Sequence, residues 1–264
     1  MGPVETVRAY GLTFRVPALD TGVSRGLREA GEFARAEQDL IAETCDGDLL
    51  DVGANIGAIS LPVAARRPTA KVVAIEAHTG LFDLLEANRA ANGLANLEPV
   101  HAVAGETQGS VVAPVASLDA PGNFGASSLY AKGQPMERLR MVRADDVAPP
   151  NCRFVKIDVE GFEPRVLEGA RRLLDEVRPA WLVEASRDRP NATAKVREAL
   201  SAAGYRLHWF FSPWTTGDLS GDVMGDTAIY ACDGEAPWPM TPITDDWPTV
   251  LAAYPYLERY RNGL

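Results

Sequence analysis

Leu49-Leu50-Asp51-Val52-Gly53-Ala54-Asn55-Ile56-Gly57 is the stretch that decides the fold. Residues 49–52 read as a short strand that runs straight into a turn with two glycines. Glycine reaches backbone conformations closed to other residues and lets a ligand come close to the chain. Working outward, residues 56–65 read as a helix, and the β-branched run 71–76 (Lys71 to Glu76) as a second strand. An amphipathic helix over 79–92 ends at Gly93, and a third strand follows over 97–104. Further on come strands over 153–159, 180–184, 205–211 and 227–232, with helices over 163–174 and 194–203. Strands alternating with helices of this length build βαβ units. The expected fold is α/β: a doubly wound, seven-stranded, mostly parallel sheet with helices on both faces.

The flanks break that rhythm. Residues 5–16 read as a hairpin bent at Gly11, and 22–44 as helical, so residues 1–45 form an N-terminal hairpin and helix extension. The main domain is expected over 46–235. Within it, residues 105–150 are an insertion rich in Gly, Ser and Pro, bearing a hairpin from two Val-containing pieces at 110–116 and 141–147. Residues 236–264, rich in Pro and aromatics, form a tail packing on the core.

The chain has 264 residues, 46% hydrophobic and 23% charged, enough to bury a core without covalent staples. Cys45, Cys152 and Cys232 are odd in number, far apart and in no metal-binding spacing, which points to a reducing compartment. With 26 basic against 36 acidic residues, the net charge of −10 disfavours a phosphate-backbone partner, so no nucleic acid is expected. The start of the sequence lacks a basic stretch followed by an apolar run, and no apolar run reaches about 18 residues. A soluble cytoplasmic protein, off the membrane, is therefore expected. A homodimer is compatible with the sequence.

Ligands of open α/β sheets bind at the carboxyl ends of the strands. The turn has the spacing Gly53-x-x-x-Gly57, whereas a dinucleotide fingerprint requires a glycine where Asn55 stands. Glu76 ends the second strand, 19 residues after Gly57, where an acid accepts hydrogen bonds from both hydroxyls of a ribose. The cofactor-binding set is then Asp51, Gly53, Asn55, Gly57 and Glu76, with Ala104 at the end of the third strand. His78 either lines the same pocket or is a solvated loop residue.

A strand-end aspartate, this turn and the acid after the second strand resemble class I S-adenosylmethionine-dependent methyltransferases. Leu49 to Gly57 looks like the opening motif of the FkbM family. Val155-Lys156-Ile157-Asp158-Val159-Glu160-Gly161-Phe162-Glu163, followed by Val166-Leu167-Glu168-Gly169-Ala170, is similar to that family's most distinctive segment. Arg178-Pro179-Ala180-Trp181-Leu182-Val183-Glu184 resembles the strand that follows, and Asp145-Asp146-Val147 also fits. The resemblance implies S-adenosylmethionine as methyl donor and a hydroxyl acceptor on a sugar, polyketide or other small molecule. One departure is Ala185-Ser186 after Glu184, where the family often places a histidine. The rival readings are a nicotinamide-dependent oxidoreductase and an S-adenosylmethionine-binding protein without catalysis.

Phe154, Lys156, Asp158 and Glu160 share one face of the fourth strand by two-residue alternation. A buried lysine and aspartate need each other, so Lys156–Asp158 is either a structural ion pair or part of the cleft. Glu160 orients the loop with Gly161 or takes part in the chemistry, and Glu163 suits a helix start. Glu184 ends the neighbouring strand. Beside Asp158 it allows a divalent metal, which two carboxylates alone do not favour. An alcohol acceptor needs a proton acceptor. His208 is the histidine candidate, and His101 reads as a core or strand-end residue. Trp214, past Pro213, is expected in the acceptor pocket together with Phe211, although Trp209 and Phe211 also alternate as core residues. The glycine-punctuated residues 215–225 are expected to cover that pocket.

Overall fold

Strands that are apolar on both sides belong inside a sheet covered on both faces. The computed structural model, which describes residues 2–126, 128–217, 219, 223–244, 247 and 254–261, builds such a sheet. The N-terminal extension comprises β1 (Val4–Ala9), β2 (Leu12–Pro17), α1 (Val23–Glu29) and α2 (Arg35–Thr44). Next come β3 (Asp48–Val52), α3 (Ser60–Arg66), β4 (Val72–Glu76), α4 (Thr79–Ala91) and β5 (Leu97–His101). β6 (Val103–Ala104) follows directly, and the insertion carries β7 (Gly109–Pro114), β8 (Met136–Val142) and α5 (Ala144–Val147). The second half holds β9 (Cys152–Ile157), α6 (Glu163–Glu168), β10 (Ala180–Glu184), α7 (Pro190–Ala202), β11 (Arg206–Pro213) and β12 (Gly225–Cys232). The described tail adds β13 (Thr241–Pro242) and α8 (Glu258–Arg261).

The main sheet runs β13-β11-β12-β10-β9-β3-β4-β5. It contains the seven expected strands plus the two-residue edge strand β13. β10, β9, β3, β4 and β5 are parallel, while β12 lies antiparallel between β10 and β11. The chain leaves β3 toward β4 and β5, then returns to β9 on the other side. The strand order therefore reverses between β3 and β9, and a crevice opens there above the strand ends. Among the described residues no helix is long and apolar enough to cross a membrane.

Local boundaries shift for identifiable reasons. The helical stretch 22–44 is broken between α1 and α2, where Gly31 and Ala34 have φ of 70° and 49°. The helix expected from residue 56 starts at Ser60, because Asn55 and Gly57 have φ of 54° and 88°. The third strand ends at His101. Val103–Ala104 then leaves the main sheet to pair with β8, which also pairs with β7 as an antiparallel hairpin. The second hairpin strand lies at Met136–Val142, ahead of the expected 141–147, whose last four residues form α5. Helix 163–174 ends early at Glu168, with a separate π-helical turn over Leu173–Val177. α7 starts at Pro190, since proline is well tolerated in a first turn. From the tail, Trp238, Tyr254, Tyr256 and Leu257 are buried in the core, and Phe210 stacks on Tyr256 with centroids 5.0 Å apart.

The N-terminal extension and the insertion meet at one buried carboxylate. Asp20 accepts hydrogen bonds from the backbone N–H groups of Gly22 (3.1 Å), Ser24 (2.6 Å) and Phe124 (3.1 Å). Thr21 N–H donates to Gly122 O, and Gly122 N–H to Leu19 O. This latch fixes residues 122–126 beside the crevice. Hydrogen bonds to a charged acceptor contribute about 1.5–3 kcal/mol each. Asp20→Ala is expected to cost about 3 kcal/mol and lower the melting temperature by roughly 6–12 °C. A melt within 2 °C or so of wild type would show that the latch carries no weight.

Candidate active site

The glycine turn is shaped first by what lies behind it. A Cβ on Gly53 would stand 1.8 Å from the Asp158 carbonyl oxygen, and its φ is 84°. Glycine is thus required where β3 passes the end of β9. A Cβ on Gly57 would meet Leu61 Cδ1 at 2.0 Å. Gly57 serves helix packing and does not line the crevice, contrary to its expected place in the cofactor set. Asp51 is likewise corrected: it is fully buried beneath the turn, accepts from Ser60 Oγ, and lies 3.7 Å from Lys156 Nζ.

The crevice encloses about 1260 Å³ including its mouth. Of the expected cofactor residues, Gly53, Asn55, Glu76, His78 and Ala104 line it. Asn55 takes the left-handed conformation that asparagine tolerates. Its N–H donates to Glu76 Oε2 at 2.7 Å, and His78 N–H donates to Glu76 Oε1 at 2.7 Å. Burial pushes the Glu76 carboxyl up, and these two donors pull against that. The His78 ring is not free for a ligand. Its Nδ1 accepts from Gly80 N–H and Leu81 N–H, capping α4, while Nε2 bonds Ala116 O at 2.7 Å. Beside Glu76, Val103, Ala104, Val115, Leu139 and Phe162 form an apolar slot.

The other end of the crevice is acidic. Lys156 lines it with its side chain 6% exposed, 3.4 Å from Asp158 Oδ2. Burial works against the Lys156 ammonium, but Asp158, Asp51 and Glu37 outweigh it and raise its pKa. Glu160 pairs with Arg189 Nη2, and both Glu184 oxygens lie 3.2 Å from Arg189 Nη1. Burial, then Asp158, pushes Glu160 up to about 8; burial with Asp158 and Glu160 pushes Glu184 up to about 10. Glu163 Oε1 accepts from Val159 N–H and Gly161 N–H, bracing the loop. Carboxylate oxygens of Asp158, Glu160 and Glu184 lie within 4.8 Å of one another. Arg189 already supplies a cation to two of the three.

Trp214 lines the crevice and donates from Nε1 to Asp226 Oδ2 at 2.8 Å. Burial and Asp158 push Asp226 up to about 6. Phe211 is a correction: its ring packs on Tyr254 at 5.5 Å, outside the crevice. His208 is another. It is the third residue of an eight-residue strand, paired with Tyr230, and does not line the crevice. His101 stacks on Phe82, centroids 4.7 Å apart. Of the expected cover, 218 and 220–222 lie outside the described residues. The described roof is Asn123–Ala126 with Leu129, from the insertion. Glu37, Asp226 and Arg189 are site residues that sequence reading missed. Nothing local marks them: Glu37 looks like an ordinary acid in a helix's first turn.

A model of the methyltransferase FkbM domain matches residues 51–207, more than half of the chain. The chain belongs to the FkbM methyltransferase family. This is a family of S-adenosylmethionine-dependent methyltransferases, and the match spans the turn, Glu76 and the Lys156–Glu160 segment. Among solved structures, the FkbM methyltransferase of Methylobacillus flagellatus KT is similar, with a TM-score of 0.51 and 19% identity over 74% of this chain. The match covers 47% of that longer chain. A precorrin-6y C5,15-methyltransferase from Geobacter metallireducens GS-15 is similar at a TM-score of 0.50 and 14% identity, covering 83% of this chain and 93% of that one. At these identities the likeness is one of fold. No curated protein sequence matches the chain. The matched segment thus contains Glu76, Lys156, Asp158 and Glu160, while Glu37, Trp214 and Asp226 come from outside it.

Proposed function

We propose that this FkbM methyltransferase transfers the methyl group of S-adenosylmethionine to a hydroxyl of a small molecule such as a sugar or a polyketide. The observation that carries the reading is one crevice with two unlike ends. At one end a buried, strand-end glutamate sits beside an apolar slot. At the other, carboxyls and an indole surround Lys156. The donor fits the first end: Glu76 would hold the ribose hydroxyls, the slot the adenine, and the Gly53–Asn55 backbone the amino-acid part. A sulfonium methyl is already activated, so the protein's task is to place a nucleophile in line with it. Asp158, its Oδ2 held by Lys156, is the group that orients the acceptor hydroxyl. Excluding water around the indole favours transfer over side reactions. The three buried, free cysteines suit a cytoplasmic location.

Methyl transfer from labelled S-adenosylmethionine to a panel of sugars and polyketide alcohols tests the proposal. Label in a product ether supports it. Label only in amines, or hydride exchange with a nicotinamide cofactor, would replace it. Trp214→Ala is expected to raise the acceptor's KM about fivefold or more and leave donor affinity unchanged. If only the melting temperature falls, Trp214 is a packing residue.

A further inference from the structure

Glu37 has no role in the reading so far. It stands on α2, outside residues 51–207, yet it lines the acidic end of the crevice. It is 6% exposed, and its Oε2 is buried with no hydrogen-bond partner. Among the described residues, the other carboxyls lining the crevice are all held by the protein. Glu76 has two backbone N–H donors, Asp158 has Lys156, Glu160 has Arg189 and Asp226 has Trp214. The one histidine among the lining residues, His78, has both ring nitrogens engaged. A buried carboxyl oxygen left unanswered is costly, and it persists where a ligand completes it.

We propose that Glu37 Oε2 takes the proton of the acceptor hydroxyl during transfer, an inference that rests on reading the crevice as a methyl-transfer site. The acceptor oxygen forms its bond to the methyl carbon and gives its proton to Glu37. The electron pair of the broken carbon–sulfur bond stays on sulfur. A sulfonium and a carboxylate thus become a neutral thioether and a carboxylic acid, and charge balances. Asp158 orients the hydroxyl, and Glu37 is the empty-handed partner that receives its proton.

The surroundings of Glu37 support this role. Its charged neighbours are Lys156 on β9, Asp158 just after it, Asp226 on β12 and Asp51 on β3; Tyr256 of the tail also feels its charge. Burial pushes Glu37 up to about 8, against Lys156 and with the three aspartates. Near neutral pH the free protein therefore holds it mostly protonated, and the base must be generated. A sulfonium entering the same crevice favours the carboxylate. Donor binding is then linked to proton release.

Calorimetric titration at pH 7.5, in two buffers of different ionisation enthalpy, counts those protons. S-adenosylmethionine carries the sulfonium and S-adenosylhomocysteine does not. Wild-type protein is expected to release clearly more protons with the first ligand than with the second. Glu37→Gln should bind both ligands and lose that difference. Equal proton counts in the wild type would overturn the proposal, and that arm needs no variant to fold. A difference that survives Glu37→Gln would overturn it too, moving the proton to another acid. If neither ligand binds, the donor reading itself fails and takes this proposal with it, an outcome distinct from equal counts.

Discussion

Asp158→Asn is expected to lower the rate of methyl transfer about 100-fold or more in a protein that stays folded and binds its donor. Asp158 follows β9, directly beside the point where the strand order reverses. Its side chain is 34% exposed, toward the crevice, while Lys156 Nζ holds Oδ2 at 3.4 Å. Asparagine keeps the shape and one acceptor but removes the charge. Lys156 retains Asp51 at 3.7 Å, so the buried ammonium is not stranded and the strand end survives. The measurement is single-turnover transfer, alongside a melt and a donor titration. A folded variant with a near-normal rate would return Asp158 to a purely structural ion pair. Adding EDTA to wild type completes the test. Arg189 bridges Glu160 and Glu184, so activity is expected to persist. Loss of activity would place a divalent ion among Asp158, Glu160 and Glu184.

Glu76→Ala is expected to weaken S-adenosylhomocysteine binding at least tenfold. A hydrogen bond to a charged acceptor contributes about 1.5–3 kcal/mol, and about 1.4 kcal/mol is tenfold in affinity. The same carboxylate holds the N–H groups of Asn55 and His78, so the substitution also loosens the glycine turn. Stability should therefore fall together with affinity. Titration well below the variant's melting temperature separates the two effects. Unchanged affinity there would remove Glu76 from the ribose site.

How far the sequence foretells the molecule depends on how local the cause is. β3, β4, β9 and β10 are legible because buried parallel strands are near-continuous apolar runs, and the turn after β3 announces itself by glycine. Boundaries slip where a non-glycine residue takes a positive φ, as Asn55 and Ala34 do, or where the chain changes sheets, as at Ala102. The base candidate His208 fails because β11 is separated from β9 by β12 and β10: His208 is level with Lys156 in register but lies three strands away from it. Phe211, on the same strand, turns to Tyr254. Asp51 and Gly57 belong to the right motif and support it from behind. Glu37 and Asp226 are invisible in sequence because each meets Lys156 only after the extension and the final strands fold back over the sheet.

The most direct test of the account is a crystal structure of the protein with S-adenosylhomocysteine. The account predicts both ribose hydroxyls on the Glu76 carboxylate, the adenine in the slot of Val103, Ala104, Leu139 and Phe162, and the sulfur facing Asp158 and Glu37. A ligand bound outside the crevice, or with its ribose away from Glu76, would contradict it.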